Sequence, residues 1–111
     1  MTNIEKATQI IEQEGYYVKH NMSVFSIFET REYEADDVKS VIRLNSRVKY
    51  NPDRSMTISF AVGIQKMAQY DLPIETNRAI AKYLLHLCDV ADELNNLHIY
   101  VKDLSELGIN K

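Results

Sequence analysis

Chemistry in this 111-residue chain would fall to three groups. These are His86, Cys88 and His98, the carboxylates between Glu29 and Asp37, and the cations Arg43, Arg47, Lys49 and Arg54 beside Tyr50. His86 and Cys88 stand two residues apart, so on a helix they diverge by about 200° and do not easily grip one ion. Cys88 follows Leu84 by four positions, beside an apolar stripe, which predicts a buried structural thiol packing as a small hydrophobe. A nucleophilic cysteine needs a base within reach and an electropositive setting, and Asp89 and Asp92 push the other way. His86 and His98 read as surface residues. A single cysteine excludes an internal disulfide and every multi-cysteine zinc pattern.

The acidic stretch Glu29, Glu32, Glu34, Asp36 and Asp37, interrupted by Arg31, lacks the alternating register of a calcium loop and reads as a solvated connection. No glycine-rich phosphate loop, G-x-S-x-G or H-E-x-x-H occurs. The expectation is therefore a protein that is not an enzyme, with no metal and no cofactor. Arg43, Arg47, Lys49 and Arg54, gathered near one end of a hairpin with Tyr50, would form a local basic patch if exposed together. Such a patch holds a nucleic acid strand by phosphate contact and stacking; otherwise it balances the acidic loop. Leu85 projects from the polar side of a long helix. With the later stripe Leu97, Val101, Leu104 and Leu107 it offers apolar surface for a partner, although packing of that stripe back on its own domain is the commoner outcome.

The elements that position these residues follow from periodicity. Thr2-x-x-Glu5 has the form of a capping box, and Ile4, Ala7 and Ile11 follow at helical spacing before Gly15. Tyr16–Lys19 and Ser23–Glu29 suit two strands, with His20-Asn21 turning between them. Residues 36–50 carry two periods. Read as a helix, Asp36 or Asp37 caps a stripe of Val38, Val41, Ile42 and Asn45; read as a strand, Ile42, Leu44, Val48 and Tyr50 share a face. The slight preference is a helix over 36–45 and a strand starting near Arg47. Asn51-Pro52-Asp53-Arg54 is turn chemistry, and 56–64 alternates strictly as a half-buried strand. Leu72-Pro73 opens the longest helix, with Ile80, Tyr83, Leu84, Leu87, Ala91 and Leu94 on one face and a break at Asn95-Asn96. The 97–107 stripe reads as a separate short helix or the tail of one long arm.

Composition bounds the class. Hydrophobic residues make up 45% and charged residues 26%, ordinary for one globular domain over 1–111, with 97–111 as a terminal helical arm. Thirteen cations against sixteen anions leave a net charge of −3, which disfavours bulk attraction to nucleic acid or an anionic membrane. The first residues lack the basic start and apolar run of a signal peptide, and no stretch approaches the ~20 apolar residues of a membrane span. A cytoplasmic location is expected.

Asp37-Val38 through Leu44-Asn45-x-Arg47, a hairpin carrying Thr57-Ile58-x-Phe60, and Leu72-Pro73 opening a helix that ends Val90-Ala91-Asp92-Glu93-Leu94 resemble the YbjN-type bacterial proteins. The likeness spans about residues 34–97. It implies the fold of type III secretion chaperones, a homodimer and polypeptide binding, with no catalytic residues to transfer; the 16–33 region is too short for the three strands usual there. The expected architecture is α+β, a small antiparallel sheet of three to four strands with helices packed mainly on one face, in the order α-β-β-(α or β)-β-β-α-α. The expected function is a protein-binding module, chaperone- or regulator-like, acting as a homodimer through Leu85, Leu97, Val101, Leu104 and Leu107. The alternatives are a nucleic-acid binder using Arg43, Arg47, Lys49, Tyr50 and Arg54, or a small inhibitor of phage or mobile-element type.

Overall fold

Thr2 opens the first helix, α1 (Asn3–Gln13), with the capping box the sequence predicts: its hydroxyl accepts from the Glu5 N–H at 3.1 Å and its own N–H donates to the Glu5 carboxylate at 3.1 Å. Ile4, Ala7 and Ile11 bury their side chains, and Gly15 leaves the helix with φ of 87°, where a side chain would be strained. The computed structural model describes residues 2–23, 26–32, 38, 41–64 and 72–103.

Two strands follow, β1 (Tyr16–Ser23) and β2 (Ser26–Glu32), paired antiparallel from Tyr16 opposite Glu32 to Ser23 opposite Ser26. His20-Asn21 does not turn the chain, contrary to expectation. The register slips by one residue between His20 and Ser23, so a bulge in β1 absorbs the irregularity and the strand continues. Glu29–Glu32 likewise belong to β2 rather than to a loop, while the rest of the acidic stretch, 33–37, lies outside the described residues.

The ambiguous segment resolves as a strand. β3 (Ile42–Tyr50) starts at Ile42 and not near Arg47, and the helical reading of 42–45 fails. Every β3 residue finds a partner in β4 (Met56–Ile64), from Ile42 opposite Ile64 to Tyr50 opposite Met56. Nine continuous pairings outweigh the weak helical stripe, because strand preference is settled by neighbours more than by the segment itself. Of 36–41, only Val38 and Val41 are described, and a 3.3 Å bond from the Val41 N–H to the Val38 carbonyl closes a turn. Between β3 and β4, Asn51-Pro52-Asp53-Arg54 forms the expected turn, closed by Arg54 N–H to the Asn51 carbonyl at 3.0 Å. The Asp53 carboxylate accepts from the Ser55 N–H at 3.0 Å and the Ser55 hydroxyl at 2.6 Å.

The last helix, α2 (Ile74–Asn95), begins after Pro73 and lies across β3 and β4. One hydrophobic core joins its Ile80, Leu87, Val90, Ala91 and Leu94 to Ile42, Leu44, Ile58 and Phe60 of the hairpin and to α1. Ser46, buried opposite Phe60, is small enough to leave room beneath that ring. After α2 the chain does not continue as a helix through 97–103. Ile99 is buried, its carbonyl accepts from the Ile58 N–H at 2.9 Å, Tyr100 bridges Thr57, and a short 3-10 turn occupies 101–103. The reason is the free edge of β4, whose unpaired backbone groups recruit this segment.

The class is therefore α+β. Among the described residues the strands pair as β1 with β2 and β3 with β4, and β2 lies beside β3. No helix among the described residues is long and apolar enough to cross a membrane.

Candidate functional site

Side chains alternate across a strand, so β3 divides its residues between two faces. Ile42, Leu44, Ser46 and, in part, Val48 face α2. Arg43, Arg47 and Lys49 are exposed on the other face, over about 20 Å of strand. Opposite them on β4 stand Gly63, Ser59 and Thr57. Three of the five residues of the anticipated basic patch thus share one surface. The other two do not join them. Tyr50 follows Lys49 and belongs to the opposite side, paired with Met56 and 73% exposed, while Arg54 sits in the turn with φ of 70°. Stacking of a base on Tyr50 alongside the three cations is not offered by this geometry.

A groove of about 650 Å³ runs beside β4 between the hairpin turn and the segment after α2. Lys49, Asn51, Thr57, Ser59, Asn95 and His98 contribute polar groups to it. Two of its amides serve the fold. Asn51 donates to the Ser55 hydroxyl and the Thr57 hydroxyl, each at 3.1 Å, and Asn95 bonds the Phe60 backbone. Among the described residues no buried side-chain nitrogen or oxygen lacks a partner, and no group of three or more His, Cys, Asp or Glu is placed to hold a metal. His86 points elsewhere: its ring meets the Glu14 carboxylate at 2.5 Å and ties α2 to the end of α1. Beside it, the hydroxyls of Tyr16, at the start of β1, and Tyr83 of α2 bond each other.

The solvent side of α2 carries the second surface. Leu85 is 69% exposed, as its position predicts. Ile74 is 70% exposed, and Ala81 and Cys88 are exposed as well. At about 100° per residue these four positions fall within an arc of about 60°, about 21 Å long and well away from the buried stripe. Cys88 is not the buried thiol that its spacing from Leu84 suggests. The core includes Val90, which swings the buried arc toward that side of the helix and leaves Cys88 beyond its edge. Ile74 was the residue that sequence reading missed, although its spacing of seven from Ala81 and eleven from Leu85 was visible. Of the expected terminal stripe, Leu97 and Val101 are partly buried against the core of their own chain, so they add little to an outward face. Leu104 and Leu107 lie outside the described residues.

A second, smaller apolar spot lies at the hairpin tip, where Tyr50, Met56 and Tyr100 are all exposed. The apolar face of β3 and β4 extends there beyond the end of α2. No family model, curated protein or solved structure matches this chain.

Proposed function

We propose that this protein is a non-enzymatic module that binds other polypeptides and acts as a homodimer. The observation that carries this reading is the line Ile74, Ala81, Leu85 and Cys88, apolar side chains held in solvent along α2. Single exposed apolar residues need no explanation, but four aligned on one rigid helix form a surface for another helix. The resemblance to YbjN-type proteins supports the same class of function, and a cytoplasmic setting and the absence of catalysis belong to this reading. So does a single antiparallel sheet in the order β1-β2-β3-β4, for which the neighbouring positions of β2 and β3 speak. The Tyr50, Met56 and Tyr100 tip remains available to a polypeptide partner once α2 is engaged. Light scattering over a concentration series tests the oligomer: a dimer mass is expected, and a monomer throughout would sink the proposal.

A second reading has its own observation, the shared exposed face of Arg43, Arg47 and Lys49. These cations fit phosphates spaced along a strand. Retention of oligonucleotides at low salt, abolished by Arg47→Glu, would favour it. No binding at low salt would eliminate it.

A further inference from the structure

We infer that the partner of the α2 surface is a second copy of this chain, docked with its α2 antiparallel about a two-fold axis at Leu85. The inference rests on the homodimer reading above and adds the geometry and the residues that select it. Beyond Glu75 in its first turn, α2 carries the charge of its exposed side segregated by sign. Arg78 and Lys82 stand four apart in the first half, while Asp89, Asp92 and Glu93 occupy the second. Like charges four apart, Arg78 with Lys82 and Asp89 with Glu93, weaken an isolated helix. The acidic cluster also sits toward the helix C-terminus, where the macrodipole disfavours anions, and the last turn holds no basic residue. A lone helix gains from Glu75 in its first turn but nothing from the placement of these five charges.

An antiparallel copy resolves both conflicts. With Leu85 on the axis, Arg78 lies seven residues before it and Asp92 seven after, so each Arg78 faces the other copy's Asp92. Lys82, three before, meets the partner's Asp89, four after, on the same flank of the helix. The C-terminal half of each helix then lies against the N-terminal half of its mate, and the dipoles run in opposite directions. Leu85 meets Leu85 at the centre, and Ala81 is small enough to let the backbones approach. Ile74 covers the far end of the stripe. A two-fold interface must be complementary to itself, and the segment from Arg78 to Glu93, basic before Leu85 and acidic after it, meets that condition. A parallel arrangement would set Arg78 against Arg78 and Asp92 against Asp92.

The test uses the full chain. Arg78→Asp and Asp92→Arg should each weaken the dimer by about tenfold or more through like-charge contact, and the double variant should recover most of the affinity. In a Cys88→Ser background, Leu85→Cys should form an intermolecular disulfide under mild oxidation, because that position lies on the axis. Ile74→Cys in the same background should not, since the two copies of residue 74 lie at opposite ends. All substituted positions are exposed, and circular dichroism confirms retained folding. A wild-type monomer at every concentration sinks the homodimer reading itself. A dimer indifferent to both charge reversals, or one that cross-links through residue 74, leaves that reading standing and overturns the antiparallel α2 pairing. A wild-type monomer that dimerises only with an added foreign helix also overturns it.

Discussion

Asn95 lays its side-chain amide against the backbone of Phe60 as another strand would. Its Oδ1 accepts from the Phe60 N–H at 2.8 Å, and its Nδ2 donates to the Phe60 carbonyl at 3.0 Å. Two residues along, the Ile58 N–H is taken by the Ile99 carbonyl, so the outer edge of β4 is closed by one side chain and one short backbone segment. An open edge invites pairing with other chains, and closing it protects the monomer surface from that fate.

Asn95→Ala removes the side chain that bonds both the N–H and the carbonyl of Phe60 at a half-buried site. The expected loss is about 1–3 kcal/mol, read from urea denaturation. Asn95→Asp keeps the shape but sets a carboxylate against the Phe60 carbonyl. Its loss should match or exceed that of alanine at neutral pH and shrink in acid, where the protonated carboxyl regains a donor.

Leu85 and Leu87 are two residues apart on α2 and should answer differently. Leu87 is fully buried, and Leu87→Ala should cost about 2–5 kcal/mol by leaving a cavity. Leu85→Ala should change the stability of the monomer by no more than about 0.5 kcal/mol. Equal losses for the two, measured in dilute solution, would contradict the orientation of α2.

The capping box makes α1 acid-sensitive. The Thr2 N–H, and after it the Thr2 hydroxyl, hold the Glu5 carboxyl below the usual carboxylate range. In the turn, the Ser55 hydroxyl and then the Ser55 N–H do the same for Asp53. A carboxyl whose folded value is lowered contributes its stability above the unfolded value and loses it as pH falls through the folded one. Both contributions should therefore be intact at neutral pH and fade in acid below the ordinary carboxylate range. Carbon NMR titration reads them directly. Thr2→Ala should shift the Glu5 titration part-way back upward, and loss of the N-cap hydroxyl typically costs about 1 kcal/mol.

Arg54 occupies the left-handed region with φ of 70°, a conformation unfavourable to a side chain and free to glycine. Arg54→Gly should raise stability by about 0.5 kcal/mol, net of the extra freedom glycine has when unfolded. A lowered thermal midpoint would show that the arginine side chain contributes to the turn in some other way.

Local chemistry was legible in the residues themselves. Thr2 and Glu5 three apart specify a capped helix start, Asn51-Pro52-Asp53-Arg54 specifies a turn, and the alternation of 56–64 specifies a strand with one buried face. Leu72-Pro73 and Asn95-Asn96 bracket α2 as they should. Each of these signals acts over a few residues, where backbone preference and periodicity are strong enough to decide.

What tertiary structure decided involves partners distant in sequence. Residues 42–45 carry both periods, and only the full register against β4 selects the strand. His20-Asn21 resembles a turn until the pairing with β2 turns the irregularity into a bulge. The leucine stripe after Asn96 resembles a helix, but the bare edge of β4 competes for Ile99 and Tyr100 and wins, drawing Leu97 and Val101 against the core. Cys88 and Ile74 face solvent because Val90, not Leu84 alone, sets which arc of α2 the hairpin covers. The sequence by itself determined the elements and the residues that start and stop them. Which faces remain uncovered, and so which residues are free to meet a partner, depended on backbone edges and buried arcs that exist only once the elements have packed.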